Sequence, residues 1–243
     1  MTFLKMKCKK KYSKEEMQKR IIITTDKEKG PLKKEADKRF SMMTPAHLFP
    51  LAFNNDIKSF VKGFNDADFS NDAYNYALTR VKLFNKNKFI ENYCIYEGKL
   101  FYFTEWLKQL FGESEGKNNL GIFPVSTLYP KDLHSLGQFI QEGNKILFET
   151  IIKIQKSSNL IYKGKELQEI NNIVLESVKK AHELGNVYCN KITIDKIDAY
   201  NLGALIKFFM LSASYSAILF KVDPFNQPGV EIYKKEVKDN LKL

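Results

Sequence analysis

Cysteine is scarce in this chain: Cys8, Cys94 and Cys189 are the three in 243 residues, far apart and odd in number. No C-x-x-C pair or His-rich cluster accompanies them, so a zinc site is not indicated. Three scattered thiols suit a reducing compartment rather than a disulfide framework. Arginine is equally rare, with Arg20, Arg39 and Arg80 among 39 basic residues. No basic stripe with interleaved aromatics occurs, and a nucleic-acid partner is not expected. The opening MTFLKMKCKKKYSK has no apolar h-region and does not read as a signal peptide. No motif asks for a metal or an organic cofactor.

What is present is enough apolar material for a core: 44% hydrophobic and 13% aromatic residues. Intrinsic disorder is therefore not expected over most of the chain. The net charge of +11 is uneven. Residues 1–40 hold fourteen Lys or Arg against six Asp or Glu, a net of +8, which leaves +3 for the rest. Lys, Asn, Ile, Phe and Tyr are abundant throughout, so this reads as a bias of composition rather than a binding arm. Leu202–Val222 is a mostly apolar run of 21 residues, long enough to be weighed as a membrane span. Lys207, Ser212, Ser214 and Ser216 interrupt it, and a helix apolar all round is also what a central core helix looks like. No membrane partner is expected.

The pattern along the chain alternates. Residues 14–20 read as a helix end, 21–25 as a buried strand and 32–38 as a short helix; 44–64 has apolar residues at helical spacing. Strands are expected at 89–96, 121–128, 149–155 and 191–197. Helices are expected at 100–111, 133–140, 167–181 and 201–221, and a last helix should start near Pro228, since proline suits the first helical turn. Strand–helix alternation implies an α/β fold with a doubly wound parallel sheet. The expected divisions are 1–45, 46–80, 81–222 and 223–243.

Several segments could carry chemistry. GESEGK (112–117) sets Glu113 and Glu115 among glycines, beside Lys117; carboxylates in such a loop can do acid–base work, although polar Gly-rich loops are more often merely solvated. His134, in KDLHSLGQFIQEG, is a lone helical histidine of a kind that is usually structural or exposed. His47 and His182 have no supporting neighbours in sequence. In PFNQPGVEIYKK, Gln227 stands at a helix start and Lys234 about two turns in, where lysine is normally a surface residue.

Singly these segments are unspecific. In order, TEWLKQLFGESEGK (104–117), GIFPVSTLYPKDLHSLGQFIQEG (121–143), LFETIIKI (147–154), DAYNLGALIKFF (198–209) and DPFNQPGVEIYKK (223–235) closely resemble the bacterial glucose-6-phosphate isomerase family, with IIITTDKEKGPLKKEADK and RFSMMTP extending the match over nearly the whole chain from about residue 10. The resemblance implies a complete second sugar-isomerase domain, a remnant of the first, and a C-terminal helix. It implies isomerisation between glucose 6-phosphate and fructose 6-phosphate through an enediol(ate), in glycolysis and gluconeogenesis, in the cytoplasm, without a cofactor. By resemblance Glu113 is the base that shuttles a proton between C1 and C2, with Gln109 contacting substrate. Glu115 is then a support or surface residue. His134 and Lys234 lie at the ring-opening end of the sugar, Gln227 helps hold it, and Arg39 stands where the family has a cation beside the enediolate. Family members are dimers in which the active-site histidine comes from the neighbouring subunit, so a homodimer sharing its site is implied.

Against the family pattern, the chain starts after the segment that usually binds the substrate phosphate. The stretch before Arg39 is cut short, with Lys38 directly preceding it, and His47 stands where the family has a small residue. Two expectations stay open: an isomerase chain that needs its missing part, or a non-catalytic remnant that binds sugar phosphate weakly or pairs with a full-length subunit.

Overall fold

The computed structural model describes residues 38–44, 47–48, 51–52, 56–66, 68–156 and 160–241. The strand expected at 21–25, the helix end at 14–20 and all but the last residue of the helix at 32–38 lie outside them. The chain forms two compact units, Met1–Asn54 and Asn55–Leu243. In the first, a 3₁₀ turn at Lys38–Phe40 buries Arg39, whose guanidinium lies 5.5 Å from the Phe40 ring centre. His47 Nδ1 approaches Ser41 O at 3.0 Å and Thr44 Oγ1 at 3.3 Å.

The second unit is an α/β fold. Its elements are α1 (Ile57–Asp66), α2 (Ser70–Phe84), β1 (Ile90–Ile95), α3 (Phe101–Glu115), β2 (Phe123–Leu128), α4 (Leu133–Glu142), β3 (Leu147–Lys156), a short hairpin of β4 (Ile161–Tyr162) and β5 (Lys165–Glu166), α5 (Leu167–Leu184), β6 (Cys189–Lys196), α6 (Ala199–Leu219) and α7 (Pro228–Leu241). The main sheet is parallel throughout, in the order β2-β1-β3-β6. The four strands and their helices fall where the apolar periodicity places them; the hairpin was not anticipated from sequence.

Strand alternation sends side chains to two covered faces. Tyr93 of β1 meets Phe111 of α3 and Phe209 of α6 on one face. On the other, Cys94, Tyr129, Ile140, Ile151 and Leu175 form a core under α4 and α5. At one end of the first face, Phe148 packs with Leu83, Ile122, Ala217 and Phe220. The apolar run expected at 201–221 is α6, which packs against α1, α2 and α3, and 56% of its most apolar window is buried in the fold. That burial is the behaviour of a core helix. The approach of α1 to α6 is close: a methyl group on Gly203 would stand 2.2 Å from Phe60 O, so glycine is required there. β6 is an edge strand, and most of its residues are exposed or half-buried.

Candidate active site

The segment GESEGK is not all loop. Helix α3 continues through Glu115, so Glu113 is a half-buried residue of its last turn rather than a loop residue. One turn earlier Gln109 Nε2 donates to Glu113 Oε1 at 3.4 Å. The last carbonyls of any helix lack intrahelical donors. Here the Lys117 amide turns to Glu115 O (2.7 Å), and the Lys117 ammonium takes up Glu113 O (2.9 Å) and Ser114 O (2.7 Å). The same ammonium donates to Asp223 O at 2.6 Å, tying this turn to the chain that leads into α7. Gly121 closes the loop with φ +105°, and a methyl group there would stand 2.9 Å from the Glu115 carbonyl.

α7 brings Lys234 toward the same place. Its ammonium bonds Glu231 Oε1 at 2.7 Å. That bond, with smaller help from Tyr233 and Glu113, raises its pKa. Gln227 sits half-buried in the turn before α7, its carbonyl accepting from Val230 N at 3.2 Å. Gln109, Glu113 and Lys117 therefore meet at the end of α3, and Lys234, on the helix that Lys117 ties to this turn, lies within reach of the Glu113 charge. An open depression of about 460 Å³ lies alongside, lined by Lys108, Gly112, Gly116, Gly121, Phe123 and Pro124. Another, of about 520 Å³, lies between β3 and α5 and takes in none of the expected site residues.

His134 is elsewhere. Helix α3 runs antiparallel to β2: Ser126 Oγ bonds Glu105 at 3.2 Å, and Gly112 faces Pro124 at the strand's start. Glu113 is thus at the amino edge of the sheet. His134 is exposed in the first turn of α4, just beyond the carboxyl end of β2, where Asp132 accepts from Leu128 N at 2.7 Å. The six residues of β2 separate the two by about 17 Å at 3.3 Å per residue. Arg39 belongs to the first unit.

Two buried polar clusters lie on opposite faces of the sheet, the first beneath the last turn of α3, and both escaped the sequence. In the first, Arg80 of α2 joins Glu91 of β1 and Glu115 of α3, all fully buried. Arg80 Nε donates to Glu91 Oε2 at 2.6 Å and Nη1 to Ser216 Oγ at 2.6 Å, while Tyr93, Thr150 and Tyr76 also donate to Glu91. Glu115 is therefore a buried support and not a surface residue. Burial pushes its pKa up against the pull of Arg80. In the second cluster, Glu149 of β3 accepts from Tyr129 OH (2.6 Å) and pairs with His182 Nδ1 (2.8 Å). Burial pulls the Glu149 carboxyl up, but its bonds to His182 and Tyr129 outweigh it and hold the pKa below the ordinary value. His182, without neighbours in sequence, is thus a buried partner of a residue 33 positions earlier. Among the described residues, no group of three or more His, Cys, Asp or Glu could hold a metal ion.

No family model matches the chain. It is 40% identical over 264 residues to a glucose-6-phosphate isomerase from Acetivibrio thermocellus, covering 93% of this chain and 59% of that protein. A glucose-6-phosphate isomerase from Streptococcus thermophilus is 42% identical over 265 residues, covering 94% and 59%. The chain is a relative of the glucose-6-phosphate isomerases. It spans about three-fifths of the length of the curated isomerases it matches. Two solved structures share its fold. A hypothetical protein from Thermus thermophilus superposes with a TM-score of 0.84 at 22% identity, covering 99% of this chain and 66% of that one. A glucose-6-phosphate isomerase from Chlamydia trachomatis gives 0.76 at 16%, covering 89% and 50%.

Proposed function

We propose that this chain carries the proton-transfer groups of a glucose-6-phosphate isomerase, interconverting glucose 6-phosphate and fructose 6-phosphate in the cytoplasm as part of glycolysis and gluconeogenesis. The observation that supports it most is the pairing of Gln109 with Glu113 on the last turn of α3 and the bond from Lys117 of that turn to Asp223 O, which ties it to the segment carrying Lys234, more than a hundred residues on. Moving hydrogen between adjacent carbons requires a base that reaches both. The Glu113 carboxylate takes the proton from C2 of the open-chain aldose and returns it to C1, while the hydroxyl proton on O2 passes to O1, so that no oxidant or reductant is needed and the enediol(ate) carries the electron pair between the two carbons. Lys234 faces the sugar oxygens at ring opening, and Gln109 and Gln227 orient the chain of hydroxyls.

His134 completes ring opening in the site of a neighbouring copy. Its position at the sheet edge opposite Glu113 supports that assignment, since one chain cannot bring both groups to one sugar. The functional unit is then a homodimer.

The test is a coupled assay in which fructose 6-phosphate is converted and the product oxidised by glucose-6-phosphate dehydrogenase with NADP. A rate that Glu113→Gln lowers at least a thousand-fold, with the variant folded, is the expected outcome. A rate equal in both proteins would remove Glu113 as the base. No rate in the unaltered chain would leave the remnant as the better description.

A further inference from the structure

We propose that Lys117 is the positioning residue that sets the distance between Glu113 and Lys234, by clamping the last turn of α3 to the peptide that launches α7. The proposal deepens the isomerase assignment and rests on it for its catalytic consequence, but the clamp itself is a matter of geometry. An ammonium has three N–H donors. Those of Lys117 meet three backbone carbonyls, Glu113 O, Ser114 O and Asp223 O, at 2.6–2.9 Å. Two of these carbonyls end α3, where a cation also suits the helix dipole. The third lies between Val222 and Pro224, both buried, at the hand-over from the core to α7.

α7 itself has no buried face. None of its 14 residues is buried, and Ile232, Tyr233, Val237 and Leu241 are all more than half exposed. A helix of this kind takes its direction from the turn that precedes it. That turn is closed locally by Phe225 N on Asp223 Oδ1 (2.8 Å) and Val230 N on Gln227 O (3.2 Å). Its start is fixed to a distant element by the Lys117 ammonium on Asp223 O, a bond across 106 positions of sequence. The spacing of the base and the α7 lysine is therefore set through backbone carbonyls.

Hydrogen exchange with peptide-level mass spectrometry tests this on the full chain. Lys117→Met should speed exchange of amides in 223–241 about ten- to a hundred-fold, the loss of one charge-assisted bond, while β1 and β3 peptides keep their protection. Lys117→Gln should behave alike, because its amide can cap α3 but is too short to reach Asp223. Unchanged exchange in 223–241, or an equal rise in every peptide, would overturn the clamp. In the coupled assay, the same variants should lower kcat more than they raise KM, with Lys117→Arg restoring part of the rate. A loss confined to KM would overturn the positioning role. The exchange result stands whether or not the chain proves to be an isomerase, so failure of the clamp and failure of the function are separable.

Discussion

Replacing Arg80 by Met should destabilise the fold by about 3–5 kcal/mol, the cost of stripping the partner from a buried ion pair. Arg80, Glu91 and Glu115 are each fully shielded from solvent. The guanidinium also lies 4.1 Å from the Phe111 ring centre, so methionine keeps much of the packing volume and the effect reports charge. Without Arg80, Glu91 retains donors from Tyr76, Tyr93 and Thr150, whereas Glu115 loses its charged partner in a site where burial already raises its pKa. Glu115 should then be the group that carries the penalty. Adding Glu115→Gln to Arg80→Met should recover about 1–3 kcal/mol, a coupling of the size seen between residues of one network. Urea unfolding followed by circular dichroism at neutral pH measures both steps. Since a domain of this kind holds about 5–15 kcal/mol in total, the single variant should be visibly close to its limit. A loss under about 1 kcal/mol, or a double variant no better than the single, would refute the view that this cluster is a paired charge at all.

Further tests address the rest of the support. Glu149 has a folded pKa below its ordinary 4.5, so its stabilising contribution is complete above that value and is lost as pH falls through the folded pKa. Thermal melts across the acid range should show this limb. In His182→Gln they should show a less stable protein at neutral pH, by about 1–3 kcal/mol, with the deficit shrinking as Glu149 protonates. Parallel pH profiles would argue against the pair. Gly121→Ala should cost about 1–3 kcal/mol, because φ +105° and the Glu115 carbonyl at 2.9 Å both oppose a Cβ. Gly137→Ala is the control: it sits in α4 with nothing nearer than 3.8 Å and should be neutral or stabilising.

The strand and helix order was legible because each element of a parallel sheet is either a short apolar run or an amphipathic helix, and both periods are local properties. Position within the fold was less so. Glu113 read as a loop residue because glycines at 112 and 116 look like punctuation, yet Gly112 is tolerated inside α3, where it faces Pro124. Arg80 gave no signal, since its carboxylate partners lie 11 and 35 residues away on other elements. His182 was passed over for the same reason. The hairpin β4–β5, of two residues a strand, is too short for a periodicity to register. The separation of Glu113 from His134 needed the antiparallel run of α3 against β2, which no spacing of residues discloses.

The outer strand of the sheet has a bearing on how the protein behaves at high concentration. Along β6, Lys191, Asp195 and Lys196 project solvated charges, with Lys191 bonded to Glu176 at 2.9 Å and Asp195 facing Lys156 at 3.6 Å. A stray strand seeking to extend the ladder there would have to strip water from each of these groups. The β6 rim of the sheet thus resists self-stacking, and crowded molecules are kept from zipping their backbones together along that border.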